Sequence, residues 1–257
     1  MRHWKFASVP ARHCRGSDDA MRLLITRPSE DADAFAKLLR ARGHVPVVAP
    51  TMDVRLHDGP EVALTNVQAV LATSANGIRA LARRTKHRSI PVYAVGPQTA
   101  EAAKSAGFKA VHNSEGDSTA LVEFVAERAD SVKGSLFHAA GAETAGRLRQ
   151  GLQAKGFTVE SEVLYDAVPL STLPDAAKQA LQIGALDGVL LFSPRSAKTF
   201  ATLTVEAELL GACAALEAFC ISAATAAALT PLTFARVAVA GVPNQEGMLA
   251  LLPAAGT

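Results

Sequence analysis

Aromatic residues are scarce in this chain: one Trp, two Tyr and ten Phe make up 5% of 257 residues, while 49% are hydrophobic. A core with that composition has to be built from Ala, Leu and Val. Cysteine is as rare. Cys14, Cys213 and Cys220 give no disulfide framework, and none pairs with a neighbouring His at metal-ligand spacing, so no metal site is expected and a reduced cytoplasm is. Long apolar runs are missing too. The most apolar window, residues 219–242, is broken by Thr230, Pro231 and Arg236, which resolves it into helix, turn and strand and excludes a membrane span. Charge of one sign is also lacking. Four of the 26 Lys/Arg and two of the 24 Asp/Glu fall in the first twenty residues, leaving 22 of each, so no nucleic-acid footprint is visible.

Several catalytic signatures are absent. No G-x-G-x-x-G follows the first strand and no P-loop occurs; TRPSE after that strand offers no glycine for close phosphate approach, so no nucleotide cofactor is expected. No G-x-S-x-G occurs, and the last histidine is His138, which leaves the C-terminal half without an imidazole base. His44, His57, His87, His112 and His138 read as surface or strand-end residues. Glu160 and Glu162 share one face of a predicted strand, which reads as a solvated face rather than an acid–base pair.

What the chain does have is a repeat. Residues 70–107 form a strand–turn–helix cassette used twice, VLATSANGIRAL and then VYAVGPQTAEAAKSAG, and residues 189–229 repeat the plan as VLLFSPRSAKTF and AFCISAATAAAL. Ser193 stands 119 residues after Ser74, and Thr225 stands 126 after Thr99, so the two copies differ by seven residues. A repeat of that size implies two α/β units whose strands end in Ser/Thr/Gly turns, with a ligand between the two polar rims.

Residues 1–20 read as a disordered leader, or as a start placed upstream of Met21. From Met21, LLIT is a strand, and a helix over 31–42 puts Phe35, Leu38 and Leu39 on one face. Residues 45–54, with Pro46 and Pro50, suit an edge or a crossing. Residues 158–168 alternate through Val159, Val163 and Tyr165 and form a second extended crossing. Strands alternate with helices throughout, predicting parallel sheets covered on both faces. One discontinuous domain (21–51 and 170–257) is expected to carry a second (52–169) inserted through crossings near 52–67 and 153–169.

Six segments in order, TRP (26–28), TSANGI (73–78), AVGPQTA (94–100), GFTVESEVLYDAVP (156–169), LLFSPRSAKTF (190–200) and ISAATAAAL (221–229), resemble uroporphyrinogen-III synthase, and the likeness covers residues 21–252. The resemblance implies two flavodoxin-like, doubly wound parallel-sheet domains joined by a two-stranded β-ladder, with a cofactor-free site between them. It implies cyclisation and dehydration of the linear tetrapyrrole hydroxymethylbilane, with inversion of ring D, to uroporphyrinogen III. A cytoplasmic monomer that receives its substrate from the upstream deaminase is expected. A two-lobed binding or regulatory protein on the same fold is the alternative.

That reaction needs a proton donor for the departing hydroxyl, and Tyr165, which matches the family's cleft tyrosine, is the candidate. The eight substrate carboxylates would be met at helix starts by Thr99 and Thr225, at the other pair of turns by Ser74, Asn76, Ser193 and Ser196, and by Arg27 in the TRP element. Thr99 and Thr225 read equally as helix caps. Arg195 lies in the turn after Phe192; Arg79, Arg83, Arg84 and Lys198 read as solvated helix faces. Arg147 matches a family arginine in a turn over 139–146 that departs from the pattern, with Ala139 and Ala140 replacing the usual arginine and glycine. Ser222 likewise stands where glycine is usual.

Overall fold

The computed structural model describes residues 20–142 and 146–253, with the side chains of residues 29, 146 and 147 outside that set. The leader expected over 1–20 therefore lies outside the described residues apart from Ala20. The chain opens with β1 (Arg22–Ile25), α1 (Ser29–Ala41) and β2 (Val45–Val48). It continues through β3 (Met52–Leu56), β4 (Val67–Ala72), α2 (Ala75–Arg84), β5 (Val92–Ala94), α3 (Pro97–Ser105), β6 (Val111–Asn113), α4 (Ser118–Arg128), β7 (Ser135–Gly141) and α5 (Gly146–Ala154). The long β8 (Val159–Pro169) leads to α6 (Asp175–Gln182), β9 (Gly188–Leu191), α7 (Pro194–Glu206), a 3-10 turn (Leu210–Cys213), β10 (Glu217–Cys220), α8 (Ala223–Ala227), β11 (Arg236–Val239) and α9 (Gln245–Ala250).

Two sheets result. The first runs β11-β10-β9-β1-β2 and is parallel throughout; the second runs β6-β5-β4-β7-β8-β3, parallel except for the antiparallel β3–β8 ladder from Met52↔Pro169 to Leu56↔Tyr165. The sequence repeat maps onto this order, because β9, β10 and β11 occupy the places of β4, β5 and β6. The unit β1-α1-β2 comes first in the chain and fills the place of β7-α5-β8, which comes last in its own sheet. The two sheets therefore share one spatial plan with different points of chain entry.

Alternation sends side chains to both faces of each sheet, as doubly wound sheets require. Leu24, Val189, Leu191 and Ala218 pack with α6 and α7, while Leu23, Ile25, Leu190 and Phe219 pack with α1 and α9. In the second sheet, Val70 and Phe137 face α2 and α3, and Leu71 and Leu136 face α4 and α5. Helix α1 departs from the expected stripe: Phe35 and Leu39 are buried, but Leu38 is 39% exposed and its place on the inward face is taken by Ala32 and Ala36. Ala32, Phe35, Ala36 and Leu39, spaced at three and four, form the seam against the sheet.

Edge strands carry the irregular sequence. Pro46 sits on β2, the outer strand of its sheet, where a missing N–H costs no ladder bond. Strand β3 is extended only over Met52–Leu56. His44 and His138, read as surface or strand-end residues, are interior, with the His44 Nδ1 accepting from the Met21 amide at 3.2 Å.

Candidate functional site

Parallel strands point their carboxyl ends one way, and in both sheets the turns after those ends carry the polar residues singled out from the sequence. Serines start three of the following helices. Ser74 Oγ accepts from the Asn76 amide at α2, Ser193 Oγ from the Ser196 amide at α7, and Ser222 Oγ from the Thr225 amide at α8. Helix α3 starts at Gly96 with no side-chain cap, so its first amides are left without a local acceptor. The rims of the two sheets face each other, since residues after β1 touch residues after β4 and β5.

Tyr165 lies where the ladder meets the second sheet. Residue pairing between β7 and β8 slips there, Ala140 opposing Val163 but Gly141 opposing Tyr165, so Leu164 is an extra residue in a β-bulge. The bulge breaks the alternation expected through Val159, Val163 and Tyr165: Val163 is 39% exposed, while Leu164 and Tyr165 are both buried. It re-aims the phenol. The phenol is held above its ordinary pKa by burial, against smaller opposite pulls from the neighbouring Ser74 hydroxyl and from the Arg195 charge. A buried, protonated hydroxyl is thereby set between groups of the two sheets. Gly141 makes room for it: a β-carbon there would come within 2.5 Å of the phenol carbon Cζ and 2.7 Å of its oxygen. The Ala139 and Ala140 positions expected in a turn belong to β7 and are fully buried.

Arg27, directly after β1, is 7% exposed and lies over the Phe192 ring at 4.4 Å. Its guanidinium donates to the Gln98 side-chain oxygen at the start of α3 and lies 3.6 Å from the Asp31 carboxylate. Burial lowers its pKa, the Asp31 charge raises it and Arg79 lowers it; a guanidinium stays charged through such shifts. Arg79 is not a solvated helix residue. It donates to Asp31 Oδ1 at 2.7 Å and to Asn76 Oδ1 at 2.8 Å, and pairs with Glu30 Oε2 at 2.7 Å, linking α2 to α1. The Arg84 side chain is 8% exposed and pairs with Glu162 at 2.6 Å, so neither matches the solvated faces read from the sequence.

The remaining candidates divide. Ser74, Asn76, Gln98 and Tyr165 gather on the second-sheet side, with Arg27, Ser193 and Arg195 after strands of the first. Ser196 is buried, its Oγ accepting from Ser193 Oγ at 2.9 Å. Thr99 and Thr225 are not the caps; each sits three residues inside its helix, and Thr225 is fully buried with its hydroxyl 3.0 Å from Ser222 Oγ. The side chain of Arg147 lies outside the described residues. Gln98 and Gly141 were missed from the sequence, and Arg79 was read there as solvated; Gln98 left a trace as a polar residue of GPQTA, beside Thr99.

A cavity of about 180 Å³ between the rims is lined by Pro28, Glu30, Met52, Val54, Leu56 and Asn76. A wider concavity of about 650 Å³, beside Asp130, Lys155 and Phe157, lies at the amino ends of β7 and β8 and is open to solvent. Ligands of open α/β sheets bind at the other end, beyond the carboxyl ends, which favours the smaller cavity. Among the described residues no group of three or more His, Cys, Asp or Glu is placed to hold a metal, and no helix is long and apolar enough to cross a membrane.

Comparison with known proteins adds to this geometry. A family model described as uroporphyrinogen-III synthase HemD matches residues 33–250. The crystal structure of uroporphyrinogen-III synthetase from Helicobacter pylori aligns with a TM-score of 0.58 at 18% identity, covering 90% of this chain and 97% of that one, a likeness of fold. A mutant uroporphyrinogen III synthase from Thermus thermophilus aligns with a TM-score of 0.49 at 19% identity, covering 90% and 96%. A Methanocaldococcus jannaschii relative bearing the same synthase name is 36% identical over 58 residues, 23% of this chain; the match spans about a quarter (24%) of that relative's length.

Proposed function

The chain belongs to the uroporphyrinogen-III synthase family, and from that premise we propose that it cyclises hydroxymethylbilane to uroporphyrinogen III with Tyr165 as proton donor. The bilane closes unaided to the symmetrical isomer. The enzyme's task is therefore to impose geometry: ring D attacks through its substituted carbon, forms a spiro intermediate, breaks and rejoins. Departure of the bilane hydroxyl leaves a basic oxygen that needs a proton. The observation that carries the reading is the bulge at Leu164, which buries the protonated Tyr165 phenol between the two rims beside Ser74.

Helix starts and cations supply partners for carboxylates. In this reading the α3 amides at Gly96, the α2 and α7 turns with Ser74, Asn76, Ser193 and Ser196, and the Arg27 guanidinium would face that space. Thr99 is the third residue of α3 and is 6% exposed; the Thr225 hydroxyl pairs with Ser222 at α8. Arg147 follows β7 and would serve the same rim. We assign residues 21–51 with 170–257 to one domain and 52–169 to the inserted one, in keeping with the two sheets. Spontaneous closure of the substrate supports direct hand-over from the upstream deaminase. A cytoplasmic monomer is the working form in this reading.

The test is to supply freshly generated hydroxymethylbilane, oxidise the products and separate the type I and type III uroporphyrins beside a no-enzyme control. Mostly type III is expected. Type I alone, at the spontaneous rate, would overturn the synthase reading and leave a two-lobed binding protein.

A further inference from the structure

The ion cluster joining α1 to α2 has the composition of a carboxylate site that is already filled. Arg79 approaches from the second-sheet side and Arg27 from the first, and the two acidic groups between them, Glu30 and Asp31, are supplied by the protein itself. Two cations and two anions make the cluster neutral. Asp31 is 11% exposed, whereas Glu30 is 67% exposed and, among the described residues, pairs with Arg79. With the Arg27–Gln98 bond, these contacts tie the two rims together at the mouth of the cavity that Glu30 and Asn76 line. That cavity, about 180 Å³, is smaller than the 300–1,000 Å³ of ordinary ligand pockets. A tetrapyrrole with eight carboxylates does not fit in that volume.

We propose that Arg79 is a substrate-binding residue whose partners exchange: in the closed, empty form Glu30 and Asp31 occupy its guanidinium, and incoming substrate carboxylates replace them as the cleft opens. The inference rests on the tetrapyrrole reading for the ligand class, but its geometry is independent of catalysis. The planar guanidinium offers the same fork of donors to either carboxylate, so the exchange conserves its hydrogen bonds. Glu30 and Asp31 then act as internal competitors. Removing a competitor tightens binding, and removing the arginine weakens it. A purely structural ion pair would make both changes act in the same direction, through loss of fold.

The experiment titrates uroporphyrin I, a fluorescent octacarboxylate that needs no turnover, into the full-length protein and into Arg79→Gln, Glu30→Gln, Asp31→Asn and the control Arg83→Gln. Arg83 is on the same helix, 62% exposed. Arg79→Gln is expected to raise Kd by about ten- to a hundredfold, the scale of one charge-assisted hydrogen bond, while Glu30→Gln lowers Kd severalfold and Arg83→Gln leaves it within about twofold. Asp31→Asn lowers Kd as well. Small-angle scattering of the unliganded proteins is expected to show a larger radius of gyration for Arg79→Gln than for the parent. Equal Kd values for the parent, Arg79→Gln and Glu30→Gln would overturn the exchange, as would weaker binding in Glu30→Gln. Absence of type III product from the parent protein would instead count against the synthase reading, and the titration would still decide the role of Arg79.

Discussion

The Gly141 α-carbon and the Tyr165 ring are packed so closely that a β-carbon on Gly141 would lie 2.5 Å from the phenol Cζ. The ring is 6% exposed and cannot simply swing into water. Gly141→Ala should therefore displace the phenol while keeping it. Turnover to the type III isomer is expected to fall by about tenfold or more, given that misplacement near 1 Å costs up to 10²-fold. The overpacking should also cost roughly 1–3 kcal/mol of stability, so turnover is compared per folded molecule. Parent-like kcat in Gly141→Ala would show that the phenol position is not critical.

Removing only the phenol oxygen tests its chemistry. Tyr165→Phe keeps the ring against Gly141 but leaves the departing hydroxyl without a donor. Turnover should drop by about 10²-fold with little change in KM. Unchanged turnover would remove the donor role.

His138 predicts a pH dependence of stability. It is fully buried on β7, its Nε2 3.3 Å from the Thr73 hydroxyl and its Nδ1 unpartnered, and burial pushes its pKa down to about 4. Between 6.5, its unfolded value, and about 4 the unfolded chain binds a proton that the folded chain refuses. Stability is complete above 6.5 and falls as the pH is lowered through that window, by at most about 1.4 kcal/mol per pH unit from this group. Denaturant midpoints at pH 7 and pH 5 should show a smaller acid loss in His138→Gln than in the parent. Comparing the two proteins cancels the contributions of His44 and His57. Equal losses would place the acid sensitivity elsewhere.

Arg84 anchors the segment between β3 and β4. Besides Glu162, it donates to the Pro60 carbonyl at 3.0 Å, and its guanidinium covers Gly59, while its own carbonyl accepts from Val62. Glu162 is 41% exposed, so water retains part of its solvation and the pair is worth less than a fully buried one. Arg84→Ala should cost about 2 kcal/mol, the scale of hydrogen bonds to a charged group, and lower Tm by roughly 4–8 °C. A Tm within one degree of the parent would contradict this. Activity per folded molecule should be less affected than in Gly141→Ala.

The candidate site was legible where chemistry is local. Ser74 and Ser193 each precede a helix and cap it, because a side-chain oxygen two or three residues ahead of a free amide needs only backbone geometry. Thr99 and Thr225 stood out for the same reason, yet the caps are Gly96 and Ser222, since residue type alone does not fix a helix boundary to within three positions. Arg79 looked like a solvated residue because its partners, Glu30 and Asp31, are nearly fifty positions away in the chain. Gly141 looked like part of a turn because the ring it accommodates belongs to another strand.

The sequence by itself determined the alternation of strands and helices, the doubled cassette and the edge placement of Pro46, all of which follow from periodicity and backbone chemistry within a few residues. It also carried the family, through six motifs in order. Only the tertiary structure decided that β1-α1-β2 and β7-α5-β8 fill equivalent places, that Leu38 faces water and Ala32 the core, and that an extra residue at Leu164 turns Tyr165 inward. Those outcomes depend on which surface arrives opposite each residue. Pairing and close packing between distant segments set that surface, and no local pattern records it.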